Sequence, residues 1–103
     1  MLVAGTTPPD LVELWDWTLG PGDQHSSEAH APGTKELVHV QDGSITVEVA
    51  DQSVTLDAGD AVAFPGDVAH SYANPSTQPA RFSLVVFEPG VGAGAPRSER
   101  RHE

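Results

Sequence analysis

The sequence predicts an all-β protein, an antiparallel sandwich or barrel, on three observations. Apolar and polar residues alternate in short runs, as half-buried strands require. Ten Gly and nine Pro punctuate those runs every several residues. No window of about 11–18 residues carries a helical period. The 103 residues form one domain, long enough for a modest core.

Residues 1–10 read as a lead-in, with Pro8 and Pro9 stopping any helix. A strand starts at Leu11, where Leu11, Trp15, Trp17 and Leu19 share a parity. Residues 20–23 break it, and 24–34 are irregular, with a turn at Pro32-Gly33. Residues 35–41 form the next strand, and Asp42-Gly43 signals a hairpin into 44–49. There Ile45, Val47 and Val49 point inward. Asp51-Gln52 makes a short turn, after which Val54 and Leu56 share a face. Residues 57–60 turn the chain, Val62 and Phe64 continue the alternation, and 65–67 turn it again. Val68, His70 and Tyr72 share a face, residues 74–80 form a loop, and 81–88 form the last strand. That strand is apolar on both faces, with Phe82, Leu84 and Val86 on one and Val85 and Phe87 on the other, which suggests a second buried surface. The domain itself spans 11–90, and the Gly/Ala-rich, then charged stretch 91–103 is expected to be disordered. Gly90, Gly92 and Gly94 do not make a nucleotide-binding loop, because no helix follows and Pro96 interrupts.

Charge and composition exclude several classes. The net charge of −10 argues against binding nucleic acid or anionic membrane. Without cysteine there is no disulfide, thiolate catalysis or iron–sulfur cluster. No apolar run reaches the about 18 residues of a membrane helix, and no signal-peptide pattern opens the chain, so a cytoplasmic protein is expected.

One residue breaks the apolar pattern. Glu36 shares its parity with Val38 and Val40, which aims a carboxylate at the interior. Such burial costs several kcal/mol unless a partner compensates it.

Two spaced patterns suggest that partner. One is His30, Glu36 and Gly43; the other is Gly59, Pro65, His70 and Asn74, with fifteen residues between Gly43 and Gly59. Together they resemble the two motifs of the cupin superfamily, across roughly residues 11–90. "GDAVAFPGDVAHSYAN" keeps the Gly, Pro, His and Asn positions, but has Asp67 where the family often has Gly; Gly66 lies one place earlier. The first motif keeps Glu and the closing Gly. Where the family commonly has His-x-His it has Glu28-x-His30. The run "HAPGTKE" is similar to the sensor cupins that follow helix-turn-helix domains in bacterial transcription regulators. The chain then reads as a stand-alone cupin or as the sensor part of a longer protein.

The resemblance implies a double-stranded β-helix, the cupin jelly roll, with His30, Glu36 and His70 as ligands to a divalent transition metal. Two imidazoles and a carboxylate suit Fe(II), and also Zn, Ni, Mn or Co. Glu28, in parity with His30, or His25 would supply a fourth ligand. A metal-free, hydrogen-bonded polar cluster is the alternative. Tyr72, Trp17 and Val38 are candidates to line a ligand pocket, though Trp15 and Trp17 equally suit core or dimer packing. His39 points away from Glu36 and suits the surface, His102 has no assigned role, and Arg81 is expected to pair with a surface acid. Ser26-Ser27 has no hydrolase-like base beside it. Gly43 and Gly59 are expected at positive φ, and Gly66 as a source of turn flexibility. The functional expectation is a metal- and small-molecule-binding sensor module, likewise homodimeric, against a metal-dependent dioxygenase or isomerase.

Overall fold

The computed structural model describes residues 1–90; the stretch expected to be disordered lies outside them. Nine strands and no helix occur among the described residues. They are β1 (Leu2–Gly5), β2 (Leu11–Leu19), β3 (Gln24–Ser27), β4 (Lys35–Asp42) and β5 (Ser44–Val49), followed by β6 (Gln52–Asp57), β7 (Ala61–Pro65), β8 (His70–Ala73) and β9 (Ala80–Glu88).

The strands form two antiparallel sheets, β1-β2-β9-β4-β7 and β3-β8-β5-β6. Only β1–β2 and β5–β6 are sequential partners; each other connection carries the chain from one sheet to the other. This is the winding of a double-stranded β-helix. Its consequence for function is that β4 and β8 face each other from opposite sheets.

Period-two alternation builds the core. On β4, Glu36, Val38 and Val40 are buried while Lys35, Leu37 and His39 are exposed. On β9, at the centre of its sheet, Ala80, Phe82, Leu84, Val86 and Glu88 are buried. Ile45, Val47, Leu56, Phe64 and Tyr72 complete the core from the other strands. Trp15 and Trp17 pack on it half-buried.

The structure departs from sequence expectation in five places. Residues 42–43 do not close a hairpin: β4 and β5 lie in different sheets. Gly43 does adopt φ 74°, and a Cβ there would come within 2.6 Å of the Pro79 carbonyl oxygen. Glycine is needed because the crossover runs against the backbone at 79–80. The β5–β6 turn is Ala50-Asp51, one residue earlier than expected, with Ala50 at φ 54°. Residues 2–5 are a strand within the expected lead-in, and 24–27 a strand within the expected irregular stretch. Both are sheet edges, formed by pairing with β2 and β8 rather than by apolar patterning. Val54 shares a strand with buried Leu56 but is 41% exposed, because β6 is also an edge.

Asn74 fixes the loop before β9. Its amide donates to the Leu19 carbonyl at 3.1 Å and the Gln78 carbonyl at 2.7 Å. Its carbonyl accepts from Ser76 N at 3.0 Å and Ser76 Oγ at 2.8 Å. That satisfies a fully buried amide side chain and explains why this motif position carries one.

Candidate metal centre

Glu36 stands on the inner face of β4, fully buried. Its strand partner on each side is apolar, Phe64 on β7 and Val86 on β9. His70, 4% exposed, opens β8 in the opposite sheet. His30 comes from the loop between β3 and β4, its side chain 14% exposed. One ligand atom from each of the three lies within 4.8 Å of the others. His70 Nε2 is 2.9 Å and His30 Nε2 3.4 Å from Glu36 Oε2.

Each group is oriented by a further contact. The Tyr72 hydroxyl donates to Glu36 Oε1. His70 Nδ1 lies 2.8 Å from the Val68 carbonyl oxygen; a carbonyl only accepts, so Nδ1 carries the proton. Nε2 is then the atom turned toward Glu36. Although it is close, Nε2 then has no proton to donate, and Glu36 Oε2 receives no hydrogen bond. A buried carboxylate oxygen without a hydrogen bond is costly. A cation at the shared centre of the three donors would resolve it, and the two-imidazole, one-carboxylate set has the chemistry for such an ion.

The turn at 65–68 forms the floor of the site. A Cβ on Gly66 would sit 3.1 Å from Glu36 Oε2 and 2.9 Å from Thr34 Cγ2. The role of Gly66 is therefore close approach to the carboxylate, in place of the flexibility expected of it. Three hydrogen bonds tie the His30 loop to this turn: His30 N to Gly66 O at 2.9 Å, Gly66 N to Thr34 O at 2.8 Å, and Gly33 N to Asp67 Oδ2 at 3.0 Å. Asp67, the departure from the family pattern, is thus the side chain that anchors the loop carrying His30.

The other candidates separate. Glu28 is exposed and does not belong to the converging group. Its expected parity with His30 fails because β3 ends at Ser27, so strand alternation does not extend through 28–30. His25 lies on β3 opposite Tyr72, its ring stacked on Tyr72 at 6.3 Å and tilted against Trp17 at 4.7 Å, outside the group. Val38 and Tyr72 are 1% and 0% exposed, in the packed core. Trp17 remains half-buried, with an indole Nε1 that is buried and lacks a hydrogen bond. His39 is exposed. Arg81 pairs with Asp16 through two hydrogen bonds, 3.1 and 2.9 Å, and holds its carboxyl below the usual carboxylate range.

Sequence reasoning missed Glu88. It is 5% exposed, and its Oε2 lies 3.9 Å from His30 Nδ1. The signal was present, since Glu88 continues the inward parity of Phe82, Leu84 and Val86.

The family model described as a cupin domain (Cupin_2) matches residues 15–97. Among solved structures, an HTH_3 family transcriptional regulator from Vibrio cholerae is 33% identical, with TM-score 0.72; the match covers 76% of this chain and 43% of that one. The chain therefore spans less than half of that regulator's length. The Cupin_2 domain of an XRE family transcriptional regulator from Enterobacter cloacae is 29% identical, with TM-score 0.73, covering 76% of this chain and 82% of that one. A de novo designed double-stranded β-helix, 19% identical with TM-score 0.60, covers 71% of this chain and 96% of its own and shares the fold. No curated protein matches.

Proposed function

The chain belongs to the cupin family, and from that premise we propose that it is a binding module holding a divalent transition metal at His30, Glu36 and His70. The observation that supports this best is the convergence itself. A loop and two opposing sheets bring three donors together around a buried carboxylate oxygen that accepts no hydrogen bond. Fe, Zn, Ni and Mn all suit the set. When bound, such an ion supplies Lewis acidity and an open coordination position for a small molecule. The chain's own residues do the rest. Tyr72 holds one carboxylate oxygen, Val68 sets the His70 tautomer, and the partly exposed His30 marks the side from which a ligand approaches.

Likeness to cupins of transcription regulators favours a sensor role over a catalytic one. A dioxygenase or isomerase needs an acid–base group beside the ion. Tyr72 is committed to Glu36, and His25 packs between Trp17 and Tyr72. The reading also includes pairing with a second copy through the outer face of the five-stranded sheet. There Leu37 is 50% and Leu14 38% exposed, beside a shallow groove of about 410 Å³ that Val85 and Ala63 help to line. No helix of the described residues is long and apolar enough to cross a membrane.

The test is metal analysis of the purified protein before and after chelation, with His30→Ala and His70→Ala in parallel. The wild type is expected to carry or take up one divalent ion per chain, which each variant loses. Unchanged metal content in both variants overturns the reading.

A further inference from the structure

We propose that Glu88 is the positioning residue of His30: it holds the ring with Nε2 toward the centre and balances the charge of a divalent ion there. This rests on the metal reading above.

Glu88 ends β9 on its inner face and is 5% exposed. A carboxylate so placed needs compensation. The His30 ring lies between two buried acids, Nε2 at 3.4 Å from Glu36 Oε2 and Nδ1 at 3.9 Å from Glu88 Oε2. Ligating imidazoles generally turn their second nitrogen to a carbonyl or carboxylate, which fixes tautomer and ring angle. His70 uses the Val68 carbonyl for this. His30 sits on a loop, and Glu88 Oε2 lies 3.9 Å from its Nδ1, beyond the 2.8 Å hydrogen bond that His70 makes but near enough for a carboxylate to favour a proton on Nδ1.

The local packing fixes loop and acid relative to each other. Pro89, next after Glu88, presses against the loop: a Cβ on Gly33 would meet Pro89 Cγ at 3.1 Å. Gly90 N donates to Asp10 Oδ1 at 2.9 Å, which anchors the end of the strand. Charge leads to the same residue. A divalent ion with Glu36 and two neutral imidazoles leaves one positive charge uncompensated in a buried site. Glu88 cancels it.

The experiment uses the full chain with Zn²⁺ as probe. Glu88→Leu removes both acceptor and charge while keeping bulk. Glu88→Gln keeps an acceptor and removes only the charge. Zn²⁺ affinity by calorimetry is expected to fall about 10–100-fold in Glu88→Leu, with a smaller loss in Glu88→Gln. The metal-free unfolding midpoint should stay within a few degrees of wild type, and the Nδ1–H tautomer of His30, read by ¹⁵N NMR without metal, should be lost in Glu88→Leu. Wild-type affinity and tautomer in both variants overturn the proposal. So does a fall in metal-free stability that accounts for the whole loss of binding. Should the wild type take up no Zn²⁺, the metal reading fails alone; the tautomer of the metal-free protein still decides for or against Glu88.

Discussion

Tyr72 of one sheet and Glu36 of the other meet in a buried hydrogen bond, hydroxyl to carboxylate. The bond leaves the second oxygen of Glu36 to face the two imidazoles. Tyr72→Phe removes the donor and leaves a buried charge less satisfied. A loss of about 1–3 kcal/mol in metal-free stability is expected, by denaturant unfolding. Zn²⁺ should restore part of it, since an ion on Oε2 lowers the need for a donor on Oε1.

Metal removal gives the second prediction. An ion that binds only the folded chain stabilises by mass action, about 2.7 kcal/mol at a hundredfold excess over its dissociation constant. For a domain of this size that is a melting shift of about 10–20 °C. Thermal unfolding with and without chelator should show it in the wild type and not in His70→Ala.

Gly66→Ala places a methyl 3.1 Å from Glu36 Oε2 and 2.9 Å from a Thr34 methyl. The carboxylate must shift by a few tenths of an ångström and the loop with it. The expected result is a metal affinity lowered tenfold or more at a stability cost of about 1–3 kcal/mol. Calorimetry and unfolding measured together separate the two effects.

Gly43→Ala acts far from the site. It combines a left-handed backbone with a contact of 2.6 Å to Pro79 O. Destabilisation of about 1–3 kcal/mol is expected, with metal stoichiometry retained in the folded fraction.

Acid sensitivity follows from Asp16. Its carboxyl is held below the ordinary value by the Arg81 hydrogen bond. A depressed carboxyl stabilises the fold above its unfolded pKa, about 3.9, and that contribution disappears as pH falls through the lower, folded value. The stability difference between wild type and Asp16→Asn should therefore be constant near neutral pH and vanish in strong acid. The pair is solvent-exposed, so the difference is small and shrinks with salt.

The strands that carry the core were legible because burial there follows side-chain parity: Val38, Val40, Ile45, Val47, Phe82 and Leu84 all lie where alternation puts them. Glu36 and His70 were legible for the same reason. Parity carries no information once a strand ends, so Glu28 was misplaced. It also says nothing of which sheet the next strand joins, and Asp42-Gly43 has the same local chemistry in a hairpin and in a crossover. Edge strand β3 owes its pairing to β8, distant in sequence, and β1 pairs with the strand that follows it without an alternating pattern of its own. The Gly66 contact with Glu36 depends on two segments thirty residues apart, which no local pattern encodes.

Of the three converging donors, two belong to hydrogen-bonded ladders in opposing sheets, and only His30 does not. Separating Glu36 from His70 means parting the sandwich; withdrawing His30 means breaking the three links between its loop and the 65–67 turn. For an ion bound here, withdrawal of His30 would break three loop contacts and leave both ladders intact, so the tether is expected to set the residence time. Asp67→Ala, which cuts one link without touching a donor, is the change that shortens the dwell time while the ladders stay intact.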